Sequence, residues 1–293
     1  MNRVLSNKKA ICVFLLPAFL LFVVMIIIPI GMSAYYSTLD WDGIGEGVFV
    51  GLKNFITLFK NPTTGFTKAI INSFILALGS TFIQLPIALF FALILARKIK
   101  GENFFLSVYF VPVLLSSIVI GELWMKIYNP QYGMLNAMLE AIGLEQWCQN
   151  WLGDKNTALI SALVPIIWQY IGYHMLLMYA GIKSISEDIR EAALIDGANE
   201  RQIAARITIP MIRPIIKVCV LFAVTGSLKA FDLIYVLTNG GPAHATEVPS
   251  TLMVNMIFDR NKYGLGSANA VFIIIECFVF AIIIQKMFRT EEY

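Results

Sequence analysis

Long uninterrupted apolar runs constrain this chain more than any other feature. Leu21–Ala34 reads LFVVMIIIPIGMSA and Ala88–Ala96 reads ALFFALILA, with no charge in either. Hydrocarbon offers a peptide group no hydrogen-bond partner, so only helices and closed barrels cross a bilayer, and a core of roughly 30 Å takes about 20 residues of helix. Windows at 10–34, 69–96, 104–127, 157–182, 215–237 and 267–288 meet that length. Their apolar residues run on rather than alternate, which disfavours a barrel. The expectation is an all-α polytopic membrane bundle of six transmembrane helices, a single transmembrane domain over 1–293. Composition agrees: only 14% of residues are charged, against about 25% in a soluble domain, too few to cover a water-facing surface.

The first window follows Arg3, Lys8 and Lys9, as a signal peptide would. Its apolar run exceeds the roughly 7 to 15 residues of such a peptide, so retention is expected. Cys12, Cys148, Cys219 and Cys277 stand singly, without metal-ligand or CxxC spacing, and read as packing residues. No metal site is expected.

Basic residues set the orientation. With the amino terminus inside, 14 of the 22 Lys and Arg fall on the inner side: the amino-terminal three, Arg97, Lys98 and Lys100, six from Lys183 to Lys217, then Lys286 and Arg289. Short basic loops stay in the cytoplasm. Both termini are therefore expected there, in a multi-pass protein of the cell (inner) membrane.

That topology makes 184–210 a cytoplasmic loop, yet EAALIDGANERQIAARITIP is too ordered for a linker. Ser184-Ile185-Ser186-Glu187 has capping-box spacing, predicting a helix from about Ile185. Gly197 can supply its left-handed stop. Asn199 and Gln202 repeat the box for a second helix, and Pro210 and Pro214 should limit or kink it. Ile189, Ala192, Ala193 and Asp196 share one side, a small ridge that another protein could approach. An amphipathic helix lying on lipid would lack a large aromatic here. A DNA-reading helix-turn-helix would use the same turn spacing, but no dense phosphate-neutralising cluster accompanies it, and no nucleic-acid partner is expected.

Glu191-Ala192-Ala193, Asp196-Gly197-Ala198 and Ile207-Thr208-Ile209-Pro210, in this order, resemble the EAA loop of permease subunits of binding-protein-dependent ABC importers, a MetI-like fold. Gly51-Leu52-Lys53-Asn54-Phe55, the run Asn129 to Asn136 and Thr238-Asn239-Gly240-Gly241-Pro242 resemble its carbohydrate branch, the maltose and multiple-sugar permeases. The resemblance implies that the loop helices seat on a separate ATPase through Glu191, Ala192, Ala193, Asp196, Gly197, Ile209 and Pro210. It implies two ATPase subunits, a second and different permease, and a solute-binding protein on the outer face. The chain departs from the family at Ser186, where Pro is frequent, at Ile203, where an aromatic is, and at Ile209, where Leu is.

No GxxxxGK[ST] occurs, so no P-loop cradles phosphate here. ATP and Mg would belong to the partner ATPase; no cofactor is expected on this chain, and the chain is not expected to be an enzyme. For a sugar, aromatic plates and hydroxyls suit C–H faces and edges. Trp168, Gly172 and Met175 share a face of the fourth window, and Thr225, Ser227 and Phe231 lie on the fifth; packing explains the same residues equally well. Lys229 and Asp232, and Glu122 and Lys126, could neutralise each other along helices. His174 and Glu276 stand alone, as coupling residues of an ion-driven secondary transporter would. A membrane-anchored regulator acting through the loop is the third reading. Tyr35, Tyr36 and Trp41 sit where an interfacial aromatic belt is expected.

Overall fold

A computed structural model of the protein describes residues 8–97 and 99–288. Arg3, Lys98, Arg289 and the side chains of Lys8 and Lys9, used above for orientation and for the signal-peptide reading, lie outside it. The chain divides into two compact units, Met1–Thr64 with Met253–Ile274 and Gly65–Leu252 with Ile275–Tyr293.

In the first unit, α1 (Lys8–Phe22) runs through a π turn (Val23–Ile27) into α2 (Ile28–Tyr36). A short antiparallel pair follows, β1 (Leu39–Asp40) and β2 (Val48–Phe49), with Leu39 opposite Phe49. Asn54 of α3 (Lys53–Lys60) is buried and donates to the carbonyls of Ser37 and Leu39 at 2.9 and 2.7 Å, tying the strand start to α3. The aromatic residues expected at the interface form a chain of rings: Tyr36 to Trp41 at 4.8 Å, then Trp41 to Tyr263 at 5.5 Å.

The second unit begins with α4 (Phe66–Gly79), a π turn (Ser80–Gln84) and α5 (Leu85–Leu95), followed by α6 (Glu102–Leu114), α7 (Ser117–Ile127) and α8 (Met134–Ala141). The 26-residue α9 (Ala158–Lys183) packs along α5 and α6. Next come α10 (Glu187–Ile195), α11 (Glu200–Ile203), a π turn (Ala204–Thr208), α12 (Ile209–Met211), α13 (Arg213–Leu228) and α14 (Asp232–Thr238). The last helices are α15 (Pro249–Val254) and α16 (Tyr263–Met287), of which Met253–Val254 and Tyr263–Ile274 belong to the first unit. α13 packs on α4, and α14 on α7. Two apolar clusters result: Leu76, Ile120, Leu163, Ile234 and neighbours near one end, and Leu85, Ala88, Met175, Met178 and Cys219 nearer the other. All four cysteines are free, and only Cys219 is fully buried in a core.

Among the described residues, five helices are long and apolar enough to cross a membrane: Ile11–Tyr36, Phe66–Leu95, Ala158–Lys183, Arg213–Thr238 and Tyr263–Met287. The 104–127 window is not one straight helix. α6 and α7 meet at 96°, making a sixth span only if the bent pair counts as one. The cause is local: Pro112 removes an amide, Leu115 is extended, and Ser116 restarts the helix by accepting from the Ile118 amide at 3.3 Å. The 215–237 window is likewise interrupted, between Leu228 and Asp232.

Three of the π turns share one cause. Val23–Ile27, Ser80–Gln84 and Ala204–Thr208 each end two residues before a proline, Pro29, Pro86 or Pro210. A proline lacks the amide that would bond residue i−4 and its ring presses on that carbonyl, so the preceding turn widens by one residue and the helix continues.

Asn72, 3% exposed on α4, donates to the carbonyls of Ala245 and Glu247 at 3.0 and 2.8 Å and so anchors the segment after α14. Asn72→Ala leaves both carbonyls short of a donor, at a cost of about 1–3 kcal/mol. A thermal-unfolding midpoint several degrees below wild type in detergent is the expected result, and an unchanged midpoint contradicts this anchoring.

Candidate functional site: a cavity and a coupling loop

A cavity of about 380 Å³ opens within the second unit, walled by α4, α7, α9, α13 and α14. Part of its polar lining comes from the places where helices are irregular, and part from the continuous helices α9 and α13. Ser80 and Gln84 belong to the π turn after α4, Ser117 to the restart at the α6–α7 bend, and Lys229 and Phe231 to the break between α13 and α14. From α9 come Gln169, Tyr170, Tyr173 and His174. Ser227 donates to Ala223 O at 2.8 Å and lies 3.0 Å from the Ser80 hydroxyl, joining α13 to the π turn.

Two of these groups have unspent bonding capacity. Gln169 and His174 are each 3% exposed, yet Gln169 Oε1 and His174 Nδ1 have no hydrogen-bond partner among the described residues. Burying such atoms unpaired costs about 1–3 kcal/mol apiece. A polar solute in the cavity would supply the missing partners.

Of the residues expected on the substrate path, Thr225, Ser227 and Phe231 line the cavity. Trp168, Gly172 and Met175 do not. A Cβ at Gly172 would overlap the Tyr109 carbonyl oxygen, so this glycine is the contact by which α6 lies against α9. Met175 is fully buried in the core with Leu85 and Cys219, and Trp168 meets Trp124 edge-on at 6.0 Å. The cavity face of α9 is rotated from the expected one. His174, known from the sequence only as an isolated ionisable residue, is on that face.

The proposed ion pairs do not form either. Neither Lys229 with Asp232 nor Glu122 with Lys126 makes a salt bridge within 4.0 Å among the described residues. Lys229 ends α13 and Asp232 begins α14, so three residues apart is no longer one turn of a common helix. Glu276 is buried on α16 and does not line the cavity.

The loop joining α9 to α13 is a pair of capped helices. The first starts two residues later than its sequence suggests, because Ser186 rather than Ser184 is the cap, accepting from the Asp188 amide at 3.4 Å. Ser184 instead donates to Gly181 O at the end of α9. α10 stops at Asp196 with Gly197 at φ +81°. The Ala198 amide donates to Ala193 O at 2.9 Å and the Gly197 amide to Leu194 O at 3.0 Å, the paired bonds of a Schellman motif. Asn199 and Gln202 then form a complete capping box, 2.9 Å one way and 2.8 Å the other. Ala193 is 8% exposed, so the expected ridge is divided: Ala193 faces inward while Ile189, Ala192 and Asp196 face out, as do Glu191 and Ile195 outside the ridge, Ile195 at 86%. Ile209 and Pro210 form the first turn of α12 beyond the second loop helix.

A bundle of apolar helices around a polar cavity, with a capped helical loop joining two of its walls, is a membrane transport component. The chain belongs to the family described as binding-protein-dependent transport system inner membrane component, whose profile matches residues 84–290. It is 37% identical over 290 residues, 98% of each chain, to the probable ABC transporter permease protein YurN of Bacillus subtilis (strain 168). It is 31% identical to the trehalose/maltose transport system permease protein MalF of Thermococcus litoralis, over 94% of this chain and 92% of that one. In fold it matches a chain of a bacterial ABC transporter involved in the import of the acidic polysaccharide alginate, with a TM-score of 0.84 at 24% identity over 98% and 97% of the two chains.

Gln169→Leu separates binding from folding. Removing a buried acceptor that has no partner among the described residues should leave the unfolding midpoint unchanged or raise it, while uptake by the assembled transporter falls about tenfold or more. A lowered midpoint with normal uptake would show that Gln169 serves the fold.

Proposed function

We propose that this chain is one of two permease subunits of an ATP-driven importer that passes a di- or oligosaccharide across the cytoplasmic membrane by alternating access. The observation that carries the reading is the connectivity of the loop: α10 and α11 lie between α9 and α13, two walls of the one cavity. A push on the loop therefore reaches both walls through continuous chain. The chain has no P-loop, so the work comes from outside it, from two cytoplasmic ATPase subunits that carry ATP and Mg and seat on Glu191, Ala192 and the turn at Asp196 and Gly197.

A cytoplasmic position for the loop and both termini is supported by the bias of Lys and Arg toward that side. The opposite face receives a solute-binding protein, and a second, different permease completes the pathway. The sugar assignment is supported by relatives named for trehalose and maltose, diacetylchitobiose and multiple sugars, and by the lining of tyrosines, amides and hydroxyls. Such a lining offers C–H stacking surfaces and neutral donors and acceptors for hydroxyl edges.

The decisive measurement is uptake of labelled di- and trisaccharides by the purified complex in proteoliposomes, with its binding protein outside. Uptake that requires ATP and survives a protonophore is expected. Uptake without ATP that collapses with the proton gradient would overturn the reading in favour of an ion-coupled carrier. Gly197→Pro gives a second check on the loop: proline fixes φ near −65° where +81° is required and deletes the amide bonded to Leu194. ATPase association or transport should be lost. Normal behaviour of that variant contradicts the role assigned to the loop.

A further inference from the structure

The loop helices are fastened sideways as well as along the chain. Glu200, the first residue of α11, accepts from Arg190 Nη2 on α10 at 2.6 Å through Oε1. Its other oxygen faces Arg97 Nε at 3.6 Å, just past the end of α5. One carboxylate thus joins the two consecutive loop helices to a segment about a hundred residues earlier in the chain. The turn between α5 and α6 is held on its other side too. Glu102, at the start of α6, takes the Tyr179 hydroxyl and Lys183 Nζ, the latter at 3.0 Å, both from the last turns of α9.

We propose that Glu200 is a positioning residue that delivers motion of α10 to α5 through Arg97, giving the loop a second route to the cavity besides the one through α12 into α13. The proposal rests on the transport reading given above. α5 is a rigid rod of about 16 Å for its 11 residues. Its far end is the π turn Ser80–Gln84, which lines the cavity and is joined to α13 by the Ser80–Ser227 hydroxyl pair. A shift of Arg97 is therefore passed along α5 to Gln84 and Ser80, which line the cavity.

The strength of the clamp fits transmission better than stabilisation. Arg97, Arg190 and Glu200 have side chains 41%, 42% and 37% exposed, and ion pairs this open to water contribute little to folding. Their geometry still decides which segments move together. A merely structural group would be revealed by stability; a positioning group is revealed by coupling.

The test uses the complete complex with its ATPases in nanodiscs and proteoliposomes. Glu200→Gln and Arg97→Gln are compared with the triple reversal Arg97→Glu, Arg190→Glu, Glu200→Arg, which restores every pair with opposite sign. ATP hydrolysed per sugar imported should rise roughly three- to tenfold in each single variant. It should return toward wild type in the triple reversal, with unfolding midpoints alike throughout. Spin labels at Lys100→Cys and Leu194→Cys, with the native cysteines replaced, report the clamp without sugar. Their distance distribution should be narrow in wild type and the triple reversal, and broad in Glu200→Gln. An unchanged coupling ratio in Glu200→Gln, or a triple reversal that restores nothing, would overturn the proposal. If wild type itself imports no sugar the transport reading fails, whereas the label distances still decide whether Glu200 holds the two segments together.

Discussion

Hydrocarbon satisfies no backbone hydrogen bond, and the architecture follows from that deficit. A peptide group left open to lipid costs several kcal/mol, so regular helix is the default and each interruption must be satisfied by something else. At Pro29, Pro86 and Pro210 the answer is a π turn, which absorbs the missing amide without breaking the rod. Where the helix does break, at Leu115–Ser116 and between Leu228 and Asp232, the residues beside the break line the cavity. Irregular backbone at membrane depth is tolerated where it faces a polar space, so the same interruptions that would be expensive against lipid furnish the cavity with some of its polar groups, Ser80, Gln84, Ser117 and Lys229 among them.

Outside the spans the same accounting produces a loop that is complete in itself. A helix end leaves amides or carbonyls unpaired. In α10 and α11 the Ser186 cap, the Schellman pair at Gly197 and the Asn199–Gln202 box meet much of that need from within the chain. Two short helices that would be marginal alone are thereby held at a fixed angle. Fixed shape is what allows a loop to receive force; a linker of equal length would absorb it.

How much of this was legible in the sequence depended on whether a feature is local. Apolar length and the caps are local, and they give the all-helical class, the near position of each span and the two-helix loop. The two-residue error at Ser184 arose because Ser184 alone has a Glu three residues on, whereas its hydroxyl is spent on Gly181 O at the end of α9 and Ser186 takes the cap. The phase of α9 is not local. Trp168, Gly172 and Met175 do share a face, but the backbone of Tyr109 pressing on Gly172 turns that face toward α6. The useful signal was of another kind: Gln84 and Gln169 are side-chain amides inside apolar windows, and neither an aromatic, a hydroxyl nor an ionisable group marks them. Lys229 and Asp232 failed as a pair for a related reason, since i,i+3 spacing has meaning only along an unbroken helix.

Rigid and yielding parts alternate along the paths from the loop to the cavity. α10 and α11 are capped, α5 and α13 are continuous rods, and between or beyond them lie the π turns Ala204–Thr208 and Ser80–Gln84 and the break before α14. A uniformly stiff bundle would resist reorientation, and a uniformly soft one would dissipate the input. With compliance confined to a few turns, displacement of the loop is concentrated where the backbone already departs from regular helix. Two of those places also hold cavity-lining side chains. On the mechanism proposed, the residues that would touch a solute are among those that move when the loop is driven, as a site that must bind on one side and release on the other requires.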